Sequence, residues 1–262
     1  MIKPILCFDF DGTLVDANGR IHPRDVAILR DNQEAYFLPA TGRPLHSVRR
    51  TFARNGLDWP AIPFWLALEN GATVYMPGER LYASTPFVAE ETQALIDACL
   101  RHDHICSILF GSDGLQMIHP SDAGLRMLER FDLETRPFDP GAISHSYTKI
   151  TSIAETVEDM RALADEVSGL SVETSFSLPT VFELTRRGID KGQVVRRLVA
   201  DWGLQDAPLL VAGDGENDLP LFAVADHTFC PSNAPAAIQA AAEHIVDVAE
   251  RGILEPMLFY AT

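Results

Sequence analysis

The sequence is short of positive charge, of paired cysteines and of long apolar runs, and each shortage closes off a class of protein. Lysine and arginine together number 21 against 37 aspartates and glutamates, a formal charge of -16. A surface of that sign repels nucleic acid and anionic lipid, so neither is an expected partner. Any phosphorylated substrate then needs cations placed locally. The four cysteines, Cys7, Cys99, Cys106 and Cys230, stand far apart. That spacing matches neither a zinc site nor a disulfide framework, and reduced thiols in the cytoplasm are the expectation. No apolar stretch is long enough to span a membrane. Residues 1–8 carry one lysine and a short apolar run that meets Asp9, which lacks the long apolar region of a signal peptide. The chain also has no internal repeat and no low-complexity segment.

What is present is the balance of a globular protein, 47% hydrophobic and 22% charged over 262 residues, enough for two modest domains. Residues 4–10, PILCFDF, form a short run of strand formers ending in acids and a glycine. It reads as a buried strand delivering carboxylates to its C-terminal end, where open α/β sheets place their sites. A helix over 22–30, a strand over 35–43 and a helix over 44–55 continue the alternation of a parallel sheet. Residues 64–84 carry two turn signals, Asn70-Gly71 and Pro77-Gly78, and read as strands with a hairpin. From 85 to 185 the rhythm changes: helix 88–101, a hairpin at 111–114, helix 121–130, strand 145–153, helix 155–168 and strands over 171–185. That stretch is expected to be an α+β layer inserted into a parallel-sheet α/β core made of residues 1–84 and 186–262. The core resumes with helix 190–202, strand 208–214, a helix from about 218, and a last strand with a helix over 234–243.

Four short segments carry chemistry. Asp9-Phe10-Asp11-Gly12-Thr13-Leu14 sets two carboxylates two residues apart, with Gly12 permitting a tight turn so that both face one pocket. An ordinary Asp titrates near 3.9, so Asp9 is expected ionised and able to attack phosphorus without a separate base. Asp11, crowded by a second carboxylate and a phosphate, suits proton transfer to a leaving alcohol and from water. Gly213-Asp214-Gly215-Glu216-Asn217-Asp218 offers oxygen donors for a hard cation, Mg²⁺, shared among Asp9, Asp11 and Asp214. Its alternatives are a calcium-like loop or a helix cap from Asn217 or Asp218. Thr41-Gly42-Arg43 supplies a hydroxyl, an approachable backbone and a guanidinium for phosphoryl oxygens. Lys191, at a helix start in GIDKG, can hold phosphate and nucleophile together, or be a plain surface lysine.

In this order, FDFDGTL, TGR, GIDKG and GDGEND, the chain resembles the haloacid dehalogenase-like superfamily. The length and position of the insert resemble the class IIB cap of its Cof-type hydrolases. The resemblance implies a doubly wound parallel-sheet core and a phosphomonoester phosphatase working through an aspartyl-phosphate, with Asp9 as nucleophile, Asp11 as acid and base, and Thr41 and Lys191 on the phosphoryl group. It further implies Mg²⁺ on Asp9, the Asp11 backbone carbonyl and Asp214, with Asn217 and Asp218 supporting metal and phosphate, a small phosphorylated metabolite such as a sugar phosphate as substrate, and specificity residing in residues 85–185. Two rivals use the same scaffold: a phosphomutase, and a binding protein without catalysis. Nothing in the sequence sets an oligomeric state. Outside these segments, His102 and His104 are too close in sequence to face one ion, and Trp59, Phe64 and Trp65 are read as packing.

Overall fold

The computed structural model describes residues 2–31, 33–57 and 64–261. The chain divides into two compact units, Met1–Ala83 with Asp190–Thr262, and Ser84–Ile189. Trp59 lies outside the described residues.

The chain opens with β1 (Ile5–Phe8), α1 (Pro23–Asp31), β2 (Tyr36–Pro39), α2 (Leu45–Arg54), β3 (Leu66–Leu68), β4 (Thr73–Met76) and β5 (Arg80–Ser84). All four residues of β1, Ile-Leu-Cys-Phe, are buried, as a strand covered on both faces of a parallel sheet requires. β2 stops at Pro39, short of the expected 43, and the chain then leaves the sheet through Thr41 and Arg43. β3 and β4 pair antiparallel around a 3₁₀ turn, Glu69–Gly71, in which Asn70 at φ 58 and Gly71 at φ 94 supply the left-handed backbone that an Asn-Gly turn permits. Phe64 belongs to the core, edge-on to Phe37 at 5.4 Å, and Trp65 packs on Trp202 at 5.0 Å and Tyr82 at 5.1 Å.

The second unit runs through α3 (Ala89–Arg101), β6 (Cys106–Gly111), β7 (Gly114–Ile118), α4 (Asp122–Phe131), β8 (Thr135–Pro137), β9 (Lys149–Ile153), α5 (Val157–Val167), β10 (Val172–Leu178) and β11 (Val181–Arg186). Its sheet has six strands in the order β10-β11-β9-β6-β7-β8. One face, with Leu109, Ile150, Phe182 and Leu184, closes against Leu95 and Ile96 of α3 and Met160 and Leu163 of α5. Ser121 and Thr156 start α4 and α5 by accepting from the backbone N–H groups of Gly124 and Asp159. β8 is the element no periodicity announces, since three residues ending in proline carry no alternation.

The chain returns through α6 (Lys191–Asp201), β12 (Leu209–Ala212), α7 (Leu219–Phe222), β13 (His227–Pro231), α8 (Ala236–Ala241), β14 (His244–Val246), α9 (Val248–Arg251) and α10 (Leu254–Ala261). The first unit's main sheet is five-stranded, β14-β13-β12-β1-β2, with every neighbouring pair parallel. The fold is therefore α/β with a parallel core sheet, accompanied by an α+β unit. Besides β8, three elements were not expected: β14, α9 and α10. The helix expected near 218 is a 3₁₀ turn, Glu216–Asp218, followed by the single turn of α7. Among the described residues no helix is long and apolar enough to cross a membrane, and all four cysteines are free and buried.

Candidate active site

Register alone collects the acidic strand ends. Phe8, the last residue of β1, lies opposite Ala212 on one side and Pro39 on the other. Asp9 N–H donates to the Ala212 carbonyl at 2.9 Å, and Ala40 N–H donates to the Phe8 carbonyl at 2.9 Å. Asp9, Thr41 and the Gly213-Asp214 turn thus leave the sheet side by side at its carboxyl edge. Gly12 is required there twice over: it sits at φ +82, and a Cβ on it would fall 2.1 Å from an Asp214 carboxylate oxygen.

Lys191 arrives from the opposite direction in sequence. Asp190 caps α6 by accepting from Gln193 N–H at 2.8 Å, a contact worth about 1 kcal/mol, and so sets Lys191 in the first turn. A Cβ on Gly192 would meet the Pro220 carbonyl at 2.0 Å, so only glycine lets this turn approach the segment after Asp218. The Lys191 ammonium, 1% exposed, then donates to Asp9 Oδ1 at 2.6 Å and Asp218 Oδ1 at 2.7 Å. Asp218, 0% exposed, also accepts on Oδ2 from Asp214 N–H and Gly215 N–H at 3.0 Å each. Thr13 donates its hydroxyl to Asp214 Oδ1 at 3.1 Å.

A second group adjoins the first. Arg43 holds Asp11 with two donors, Nε at 2.7 Å to Oδ2 and Nη2 to Oδ1. Its Nη1 donates to Thr51 Oγ1 at 2.8 Å and Ser47 Oγ at 3.3 Å. Expected on phosphoryl oxygens, the guanidinium is thus turned toward Asp11 and α2. Thr41, buried, accepts the Arg43 backbone N–H on its hydroxyl oxygen at 3.2 Å. Gly42 lies between them, half-buried, and Asn217 lies half-buried in the Glu216–Asp218 turn.

The electrostatics follow from burial. Desolvation raises Asp9 well above the ordinary carboxylate value; Lys191 opposes the rise, and Asp218, Asp214 and Asp11 add to it. Asp214 is pushed up to about 6, first by burial and then by the charge of Asp218, with Thr13 and Lys191 opposing. Burial works against the Lys191 ammonium, yet Asp218 and Asp9 outweigh it and hold the group above its usual value. The expectation that Asp9 ionises like a free aspartate needs correcting: its charge depends on the cations around it. One oxygen each of Asp9, Asp214 and Asp218 lie within 4.8 Å of one another. With Asp218 occupied by three donors, Asp9 and Asp214 are the carboxylates that fit a hard divalent cation, which would offset both their burial and their mutual repulsion. Thr13 is the supporting residue that reading the sequence missed; its signal was its place in the same hexapeptide as Asp9 and Asp11.

His102 and His104 meet different carboxylates, Glu166 at 2.8 Å and Asp159 at 3.3 Å. Residues 6–256 match the haloacid dehalogenase-like hydrolase family. The chain is 22% identical over 269 residues to the pyridoxal phosphate phosphatase of Escherichia coli, covering 94% of each. It is 23% identical over 266 residues to the 5-amino-6-(5-phospho-D-ribitylamino)uracil phosphatase of Bacillus subtilis, covering 87% of each. A solved subclass IIB sugar phosphatase of the same superfamily superposes with a TM-score of 0.83 at 20% identity, over 98% of this chain and 99% of that one. On the family match, which spans nearly the whole chain, this protein belongs to the haloacid dehalogenase-like hydrolases.

Proposed function

We propose that the protein is a Mg²⁺-dependent phosphomonoester phosphatase acting through an aspartyl-phosphate on Asp9. The observation that carries this reading is the Lys191 ammonium clamped between Asp9 and Asp218, with Asp214 across the same cluster. An ammonium that fixes one oxygen of Asp9 leaves the other to attack. Asp9, the Asp11 backbone carbonyl and Asp214 would hold Mg²⁺, which would supply positive charge for the phosphoryl oxygens.

The protein's own groups do the rest. The Asp9 oxygen not bonded to Lys191 attacks phosphorus in line as the bond from phosphorus to the leaving oxygen breaks, and Asp11 gives that oxygen a proton. Water then attacks phosphorus, Asp11 takes its proton, and breaking the Asp9–phosphorus linkage frees inorganic phosphate. Lys191, the Thr41 hydroxyl, the backbone around Gly42 and Asn217 bind equatorial oxygens. Arg43 pairs with both oxygens of the Asp11 carboxylate and has to release it for Asp11 to carry the proton, and Asp218 orients both Lys191 and the Asp214 backbone.

Small phosphorylated metabolites, sugar phosphates among them, are the substrate class, supported by the named activities of the relatives. Residues 85–185 are assigned the choice of leaving group. A cytoplasmic location accords with four free, buried thiols. Phosphate release from a panel of phosphomonoesters, with and without Mg²⁺, tests the reading in wild type and Asp9→Asn. The variant should retain its fold and lose at least about 10³-fold in rate; turnover near wild type would remove Asp9 from the nucleophile role.

A further inference from the structure

The far edge of the core sheet carries a second cluster of ligand atoms, of different chemistry. β13 and β14 run parallel with Phe229 opposite His244. His227, two residues before Phe229, therefore shares a face with Phe229 and His244. Glu243 precedes β14 and reaches across: its Oε2 lies 3.2 Å from His227 Nδ1 and 3.9 Å from His244 Nε2. The three donor atoms all fall within 4.8 Å of one another.

The geometry points to a binding site for one borderline divalent cation, Zn²⁺ being the reference ion, on His227, His244 and Glu243. Three features support it. First, the spacing is close to what such an ion demands: nitrogen and oxygen ligands at about 2.0–2.1 Å in a tetrahedron stand about 3.3 Å apart. The 3.2 Å pair is already there, and the 3.9 Å pair closes by side-chain rotation. Second, the donors are held from behind. Tyr260 stacks on His244 at 4.1 Å between centroids, Phe229 packs on the same ring at 4.7 Å, and His227 lies 6.4 Å from Tyr260. Glu243 N–H donates to Thr228 Oγ1 at 2.9 Å, and Thr228 N–H donates to Glu243 Oε2 at 3.4 Å, so the carboxylate is braced by the neighbouring strand. Third, the side chains are 44%, 25% and 55% exposed for His227, His244 and Glu243. The ion can enter from solvent and keep water on its open position.

Two imidazoles and one carboxylate suit Zn²⁺, Ni²⁺ or Cu²⁺ far better than Mg²⁺, which takes oxygen. The ion would tie the three-residue strand β14 to β13 at the sheet's edge. Equilibrium dialysis of the full chain against Zn²⁺, with Mg²⁺ in large excess to hold the all-oxygen cluster, tests the site. Wild type and Asp214→Asn should each retain one Zn²⁺ per chain. His227→Gln/His244→Gln should bind it at least about tenfold more weakly while releasing phosphate with Mg²⁺ like wild type. Equal Zn²⁺ affinity in wild type and the double histidine variant, or loss of the ion in Asp214→Asn alone, would overturn the assignment.

Discussion

Two lysines are buried in this protein, one in each unit, and they keep different company. Lys149 is 2% exposed in the six-stranded sheet, where it pairs with Glu183, 6% exposed, and lies 5.0 Å from the centre of the Phe110 ring. Lys191 is 1% exposed and bridges Asp9 and Asp218, with Asp214 close enough to complete a cluster. In the first case an ammonium and a carboxylate cancel. In the second, carboxylates outnumber the cation, and their charges add to the burial that raises Asp9 and Asp214. A balanced buried pair reads as architecture. An unbalanced one favours a further cation, which is the arrangement that the proposed function uses.

The comparison breaks most visibly at Lys191. Replacing it in Lys191→Met leaves Asp9 and Asp218 buried without their shared counter-ion, a cost of about 3–5 kcal/mol. It also removes a donor aimed at the reacting group, worth at least about 10²-fold in rate. Denaturant melts and phosphate-release assays read the two effects separately. Adding Asp218→Leu relieves part of the stability cost, but rate does not return. Recovery of turnover in the double variant would show that Lys191 is only a packing partner.

At Lys149 the opposite outcome is expected. Lys149→Met removes the ammonium paired with the buried Glu183 carboxylate, which also accepts from the Thr151 hydroxyl at 3.5 Å, and costs about 3–5 kcal/mol, whereas Lys149→Met/Glu183→Leu falls within about 1 kcal/mol of wild type or above it. A double-mutant cycle by chemical denaturation measures this directly. Additive losses, with no rescue in the double variant, would mean that the two side chains are not coupled as their pairing indicates.

How much of this is readable from residues alone depends on how local the cause is. β1 and β12 are legible because their apolar runs are short, unbroken and closed by acids and glycine. α6 is legible because Asp190 caps it within three residues. Thr13 is not, because its partner Asp214 lies 201 positions away. Nor is the direction of Arg43: a guanidinium after a strand suits phosphate as well as carboxylate, and only the fold brings Asp11 within 2.7 Å. The His227, Glu243 and His244 cluster is equally hidden, since it exists only once β13 and β14 pair. α10 is hidden for the same reason, because its start is organised from the other end of the chain.

That start offers the smallest and sharpest test. Asp25, on α1 and 1% exposed, accepts from the Ile253 and Leu254 N–H groups at 2.9 Å each, and so caps α10 from outside. Burial raises its carboxyl to about 6; the two N–H groups and His22 oppose the rise, and Glu255 adds to it. Here, as around Asp9, burial acts on a carboxylate, but its hydrogen-bond donors are two backbone N–H groups rather than an ammonium. The sign follows from proton affinity: the folded chain holds the Asp25 proton more tightly than the unfolded one. Its contribution to stability is therefore full below about pH 4 and is lost as pH rises through about 6, by about 3 kcal/mol in all. Asp25→Asn keeps one acceptor and cannot ionise. Relative to that variant, wild type should lose stability between pH 4 and 7 in urea melts, and a constant difference across that range would show that the two N–H groups, not burial, govern the carboxylate.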